Sequence, residues 1–245
     1  MKAPLGAFAF WLNNSLRLTS ICLLLQVVFF QACTTQLSLL PRGIDALQTR
    51  SVIIGDDSHI PVAPNLAYRY LRVDIEGRTT ALMVLAFEDA HPLGTVEVWY
   101  SASGQMIKMQ NSRVIATSGL DTNWNQVQYQ PSAPVWLHAS GETIFYGRQR
   151  DEMPGYRFAI TEQLKRIAVD KVPDIGLPKS LPQSKAATYQ WYQETVVQSS
   201  AVALPPSWFA WGVHRGQATV VYSEQCLAPA FCLKLQRWPV QENAF

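Results

Sequence analysis

Residues 95–117 read Thr95-Val96-Glu97-Val98-Trp99-Tyr100-Ser101-Ala102-Ser103-Gly104-Gln105-Met106-Ile107-Lys108-Met109-Gln110-Asn111-Ser112-Arg113-Val114-Ile115-Ala116-Thr117. β-Branched and aromatic residues come in short runs, broken first at Ser101–Gly104 and again at Asn111-Ser112. Side chains alternate across an extended chain, so Val96, Val98 and Tyr100 share one face of the first run. Short runs punctuated by turn residues about every ten positions predict antiparallel strands joined by hairpins.

The same texture extends in both directions. Upstream, Tyr68, Tyr70, Leu71, Val73 and Ile75 alternate with charged residues, with a one-residue slip that predicts a bulge. Thr79 to Phe87 is almost continuously apolar and reads as a central strand. Downstream, strands are expected at 135–137, 143–146, 156–160, 166–169, 187–197, 208–213, 217–222 and 232–238. Residues 161–169 have a short helix as the alternative, because Thr161 is a fair N-cap. A second short helix is predicted over 44–54, ended by Gly55-Asp56-Asp57-Ser58. Residues 172–185 hold three prolines and predict a crossing, either a linker or a long surface loop.

The amino terminus carries different information. Lys2 and Arg17 precede the apolar run Ile21–Phe30, which is broken by Gln26 and short for a membrane span of about 20 residues. Small Ala32 stands directly before Cys33, and the polar Thr34-Thr35-Gln36 follows. This reads as a signal peptide over 1–32 and a thiol set for lipidation at Cys33, although Phe30-Gln31 depart from the usual Leu and small residue. Cleavage near Ala32 without lipid and an uncleaved anchor are the alternatives. Residue 34 is Thr rather than Asp, which points to the outer membrane, with the domain on its periplasmic side. The expected organisation is a lipidated tether over 33–43 and one β-rich domain over 44–245. No cofactor is expected beyond the covalent lipid on Cys33. Each buried CH₂ of an acyl chain contributes about 0.8 kcal/mol, so several chains hold the protein to the membrane.

Removing residues 1–32 also removes two basic residues and leaves 18 basic against 18 acidic. A neutral chain lacks the basic stripe that nucleic acid requires. Cys226 and Cys232, separated by the five residues Leu-Ala-Pro-Ala-Phe, are expected to form a local disulfide outside the cytoplasm. Two thiols packed as small hydrophobes are the alternative. No histidine neighbours that pair, and His59, His91, His138 and His214 follow no metal-ligand spacing. His91 and His214 fall in turns, where solvated side chains are expected. No GxSxG, Walker or GxGxxG pattern occurs, and Glu88-Asp89 and Asp151-Glu152 read as solvated loop acids. Most tryptophans read as core, with Trp124 the exception because its neighbours Asp121, Asn123 and Asn125 are polar.

Three further stretches carry a family resemblance. They are Ala81–Ala86 followed by Trp99–Gly104; Asn111–Leu120; and Trp208–Val213 through Gly216 to Ser223–Pro229. In this order and spacing the chain resembles the YjbF/GfcB lipoproteins associated with group 4 capsule and exopolysaccharide secretion. Ser112 stands where that pattern has Gly, and the two late cysteines lie outside it. The resemblance implies a mainly β protein: a large antiparallel or mixed sheet folded over on itself, open-barrel or sandwich-like, with one or two short helices. It also implies a non-enzymatic accessory role, with other envelope proteins of polysaccharide secretion, and the polysaccharide itself, as partners. A periplasmic glycan-modifying enzyme, or a carrier-like module for lipid or lipoprotein, are the alternatives. No catalytic or metal-binding set is assigned; Asn111, Arg113 and Trp124 are the candidate binding residues.

Overall fold

A computed structural model describes residues 53–54, 65, 67–75, 80–136, 142–152 and 160–239. Their β-branched and aromatic runs become strands β1 (Ile53–Ile54), β2 (Tyr70–Ile75), β3 (Thr80–Asp89), β4 (Val96–Tyr100), β5 (Met106–Gln110), β6 (Arg113–Ser118) and β7 (Trp124–Gln130). They continue as β8 (Ile144–Glu152), β9 (Ile160–Val169), helix α1 (Gln183–Ala186), β10 (Gln190–Ser199), β11 (Ser207–His214), β12 (Gln217–Ala228) and β13 (Phe231–Trp238). Signal peptide, lipidation site, tether and nearly all of the helix expected over 44–54 lie outside the described residues, and Ile53–Ile54 is strand.

Twelve strands lie side by side in the order β6-β5-β4-β3-β2-β13-β12-β11-β10-β9-β8-β7, with β1 paired to β3 off this path. Every pairing is antiparallel. From β2 to β6 and from β7 to β13 each strand neighbours the next in sequence, and β2 pairs with β13, so the meander runs round almost into a barrel. One seam stays open, between β6 and β7. At one end of it the Trp124 backbone N–H donates to Thr117 Oγ1 at 3.0 Å.

Several local expectations change. Residues 161–169 are strand, because both neighbours pair with them along their length. The β2 ladders run without a slip, and the irregularity near that hairpin falls in β3, between Leu85 and Phe87. Although β3 is internal to the sheet, only its Met83 is buried and Phe87 is 57% exposed. On β4 the core face is Glu97 and Trp99 rather than Val96, Val98 and Tyr100. Trp99 is the largest apolar group on that strand, and Glu97 has a cationic partner in half-buried Arg237.

The inward face gathers Leu71, Val73, Met83, Trp99, Ile107, Val114, Leu233 and Leu235 into one cluster. Strands β10 to β12 are buried on both faces. Tyr192 and Phe209 pack inward with Trp136, while Trp191, Ala210 and Tyr222 meet Leu181 and Ala186 on the other side. The Pro-rich crossing is therefore a strap over the sheet rather than a linker. Lys234 Nζ holds it by donating to the carbonyls of Ile175 and Gly176 at 3.2 and 2.8 Å. Its Tyr189 ring lies against Gly212, where an added Cβ would come within 2.5 Å of the ring. Cys226 and Cys232 are register partners across the β12–β13 hairpin and are joined in a disulfide.

Candidate functional site

Strand alternation places a set of charged side chains inside the sheet. Arg113 opens β6 directly after a two-residue turn, in which Asn111 and Ser112 have φ of 48° and 63°. Its Nε and Nη2 donate to Glu194 Oε1 at 3.0 and 2.6 Å, and its Nη2 donates to the Pro134 carbonyl at 3.1 Å. The guanidinium lies 4.0 Å from the Trp136 ring centroid. Burial by itself lowers the Arg113 pKa, but the charge and hydrogen bond of Glu194 together with nearby Tyr146 and Tyr129 outweigh this and the net shift is upward. A second set joins Arg148 and Arg150 to Glu162, at 2.5 and 3.1 Å, with the Glu162 side chain fully buried.

Two of the three expected binding residues are therefore interior. Arg113 is 1% exposed and Trp124 2% exposed. The polar neighbours of Trp124 belong to the tight β6–β7 connection, and the ring itself turns inward. There its Nε1–H donates to the Leu227 carbonyl at 3.1 Å, and Arg148 and Arg150 lie 5.1 and 5.3 Å from its centroid. Asn111 alone is partly exposed, and its carbonyl accepts the Trp136 Nε1–H at 3.0 Å. The buried Glu162, Glu194, Arg148, Arg150 and Arg166 were not foreseen. Their signal was a charge repeating every second residue in phase with Tyr146 and Tyr192, at positions that pattern assigns to a core face.

Two cavities meet at Asn111. A polar one of about 300 Å³ opens where the β5–β6 and β11–β12 turns converge, lined among others by Trp211, Arg69, Glu97 and His214. Arg237 donates to Glu97 through two nitrogens at 3.0 and 2.9 Å, and Arg69 lies 2.5 Å from Glu88. His214 is the last residue of β11 and is buried rather than solvated in the turn. Burial first, then the charges of Arg237, Arg215 and Arg69, lower its pKa to about 4. The second cavity, about 630 Å³, runs along the open seam between β6 and β7.

The acids read as solvated divide. Glu88 at the exposed end of β3 pairs with Arg69, whereas Asp151 is buried and Glu152 bonds Arg150. Among the described residues no group of three or more His, Cys, Asp or Glu side chains is placed to hold a metal. Among them, too, no helix is long and apolar enough to cross a membrane.

The fold is similar to that of the hypothetical lipoprotein YmcC from Escherichia coli (K12). That crystal structure aligns with a TM-score of 0.51 at 16% identity, over 73% of this chain and 87% of that one. At this identity the likeness concerns the fold alone. No curated protein matches the chain. The model of the family described as "Group 4 capsule polysaccharide lipoprotein gfcB, YjbF" matches residues 62–173. The first two stretches that carried the resemblance fall inside this span; the third, Trp208–Pro229, lies beyond it. Over residues 62–173, then, this chain is similar to the YjbF family of group 4 capsule polysaccharide lipoproteins.

Proposed function

We propose that this protein is an outer-membrane lipoprotein, anchored through Cys33 with its domain facing the periplasm. In this reading it serves capsule or exopolysaccharide assembly and export by binding rather than by catalysis. The observation that carries it is the match of residues 62–173 to a family of capsule polysaccharide lipoproteins. The chemistry of the interior supports the binding half. Glu162 and Glu194 are each held in a buried ion pair with arginine, so neither is placed to exchange protons with a substrate. The sheet presents cavities at its end and along its seam.

The test is complementation of a deletion strain. Wild-type protein restores surface polymer, whereas Cys33→Ser accumulates as an unprocessed precursor, takes up no labelled fatty acid and fails to restore export. Continued lipid labelling of Cys33→Ser, or unchanged polymer after deletion, overturns the reading. Abolished export in a stably folded Glu88→Gln or Asp89→Asn variant would point to acid–base chemistry instead.

A further inference from the structure

The seam is an opening bounded by two edge strands, and both edges are irregular in the same way. In the β5–β6 ladder the register shifts so that Ile115 is the extra residue on β6. In the β7–β8 ladder Asn125 is the extra residue on β7. Bulges of this kind bend an edge away from further strand pairing. Direction opposes pairing as well. Twelve antiparallel strands leave β6 and β7 running opposite ways, so one added strand would be parallel to one of them. Both bulged residues line the groove, together with Gln110, Gln126, Gln128 and Tyr129.

The groove therefore offers a row of planar amides, along a slot bordered by strands five to seven residues long. Gln126 and Gln128 are exposed on the β7 edge. Among its lining, Lys108 and His91 are the titratable groups apart from Tyr129, so little formal charge selects the ligand. An amide presents a donor and an acceptor side by side, matching the neighbouring hydroxyls of a sugar. About 630 Å³ is within the range of built ligand clefts. We infer that the β6–β7 groove holds an extended, hydroxyl-rich glycan chain. This rests on the export reading above and adds the place and chemistry of contact.

The experiment uses the full lipidated chain in polymer-producing cells. A photo-crosslinking amino acid replaces Gln126 or Gln128, and in a control it replaces Val202, which is 72% exposed. The expected product at 126 and 128 is a high-mass adduct that resists protease and stains for carbohydrate, without a counterpart at 202. Gln126→Leu combined with Gln128→Leu, read by a crosslinker at Gln110, should lower that adduct roughly fivefold or more. A protease-sensitive adduct, equal labelling at 202, or no adduct at all overturns the proposal. If deletion leaves export unchanged while the glycan adduct forms, the export reading falls and the groove stands. If deletion abolishes export without an adduct, the reverse holds.

Discussion

Glu194→Ala should be among the most destabilising single changes in this protein. The carboxylate and the Arg113 guanidinium are 4% and 1% exposed, and three donor–acceptor contacts join them at 2.6–3.3 Å. Arg113 Nη1 has no partner, so without Glu194 the guanidinium keeps the Pro134 carbonyl and the Trp136 face. Leaving one member of a buried pair uncompensated costs about 3–5 kcal/mol, most of it the desolvation of the surviving charge. With roughly 2–3 kcal/mol per M urea, the unfolding midpoint should fall by roughly 1–2 M. Tryptophan fluorescence during urea titration of the detergent-solubilised protein reads this directly, because Trp136 lies beside the pair. The double variant Arg113→Met with Glu194→Leu should cost less than Glu194→Ala alone, since no charge is left behind. A loss below about 1 kcal/mol for Glu194→Ala would place the pair with solvent-screened surface bridges and refute the argument.

Three further outcomes are expected. His214 is held neutral with its pKa lowered to about 4, so the native state binds fewer protons than the unfolded chain below the ordinary value of 6.5. Stability should therefore be level above pH 7 and fall as pH drops from about 6.5 to 4, by no more than about 3 kcal/mol, with a shallower fall in His214→Gln. An unchanged slope in that variant removes His214 as the cause. Ser112→Gly, at φ 63° in the β5–β6 turn, should raise stability by about 0.5–1 kcal/mol; a thermal midpoint that does not rise contradicts the strain assigned there. Gly212→Ala drives a methyl into the Tyr189 ring and should cost about 1–3 kcal/mol, measured as faster proteolysis of the 170–189 strap; unaltered protection refutes the close contact.

The strands were legible in the sequence because backbone alternation and turn chemistry are local. Thr95 to Thr117 shows two hairpins without reference to any other residue, and Cys226 and Cys232 bracket their own turn. The family resemblance was also legible, since the stretches 81–86, 99–104 and 111–120 keep their order and spacing and fall within the matched residues 62–173. Which face of a strand turns inward is not a local property. Alternation separates Glu97 and Trp99 from Val96, Val98 and Tyr100, but Arg237, 140 positions along the chain, decides that the first pair is buried. Arg113 looked like a surface residue beside an exposed turn because its partner is 81 positions away on β10. Only closure of the meander, which brings β6 across the interior from β10, turns two costly charges into one buried pair. The open seam has the same origin. Each strand by itself is an ordinary strand, and the order β6 to β7 round the whole sheet determines which two edges are left without a ladder between them.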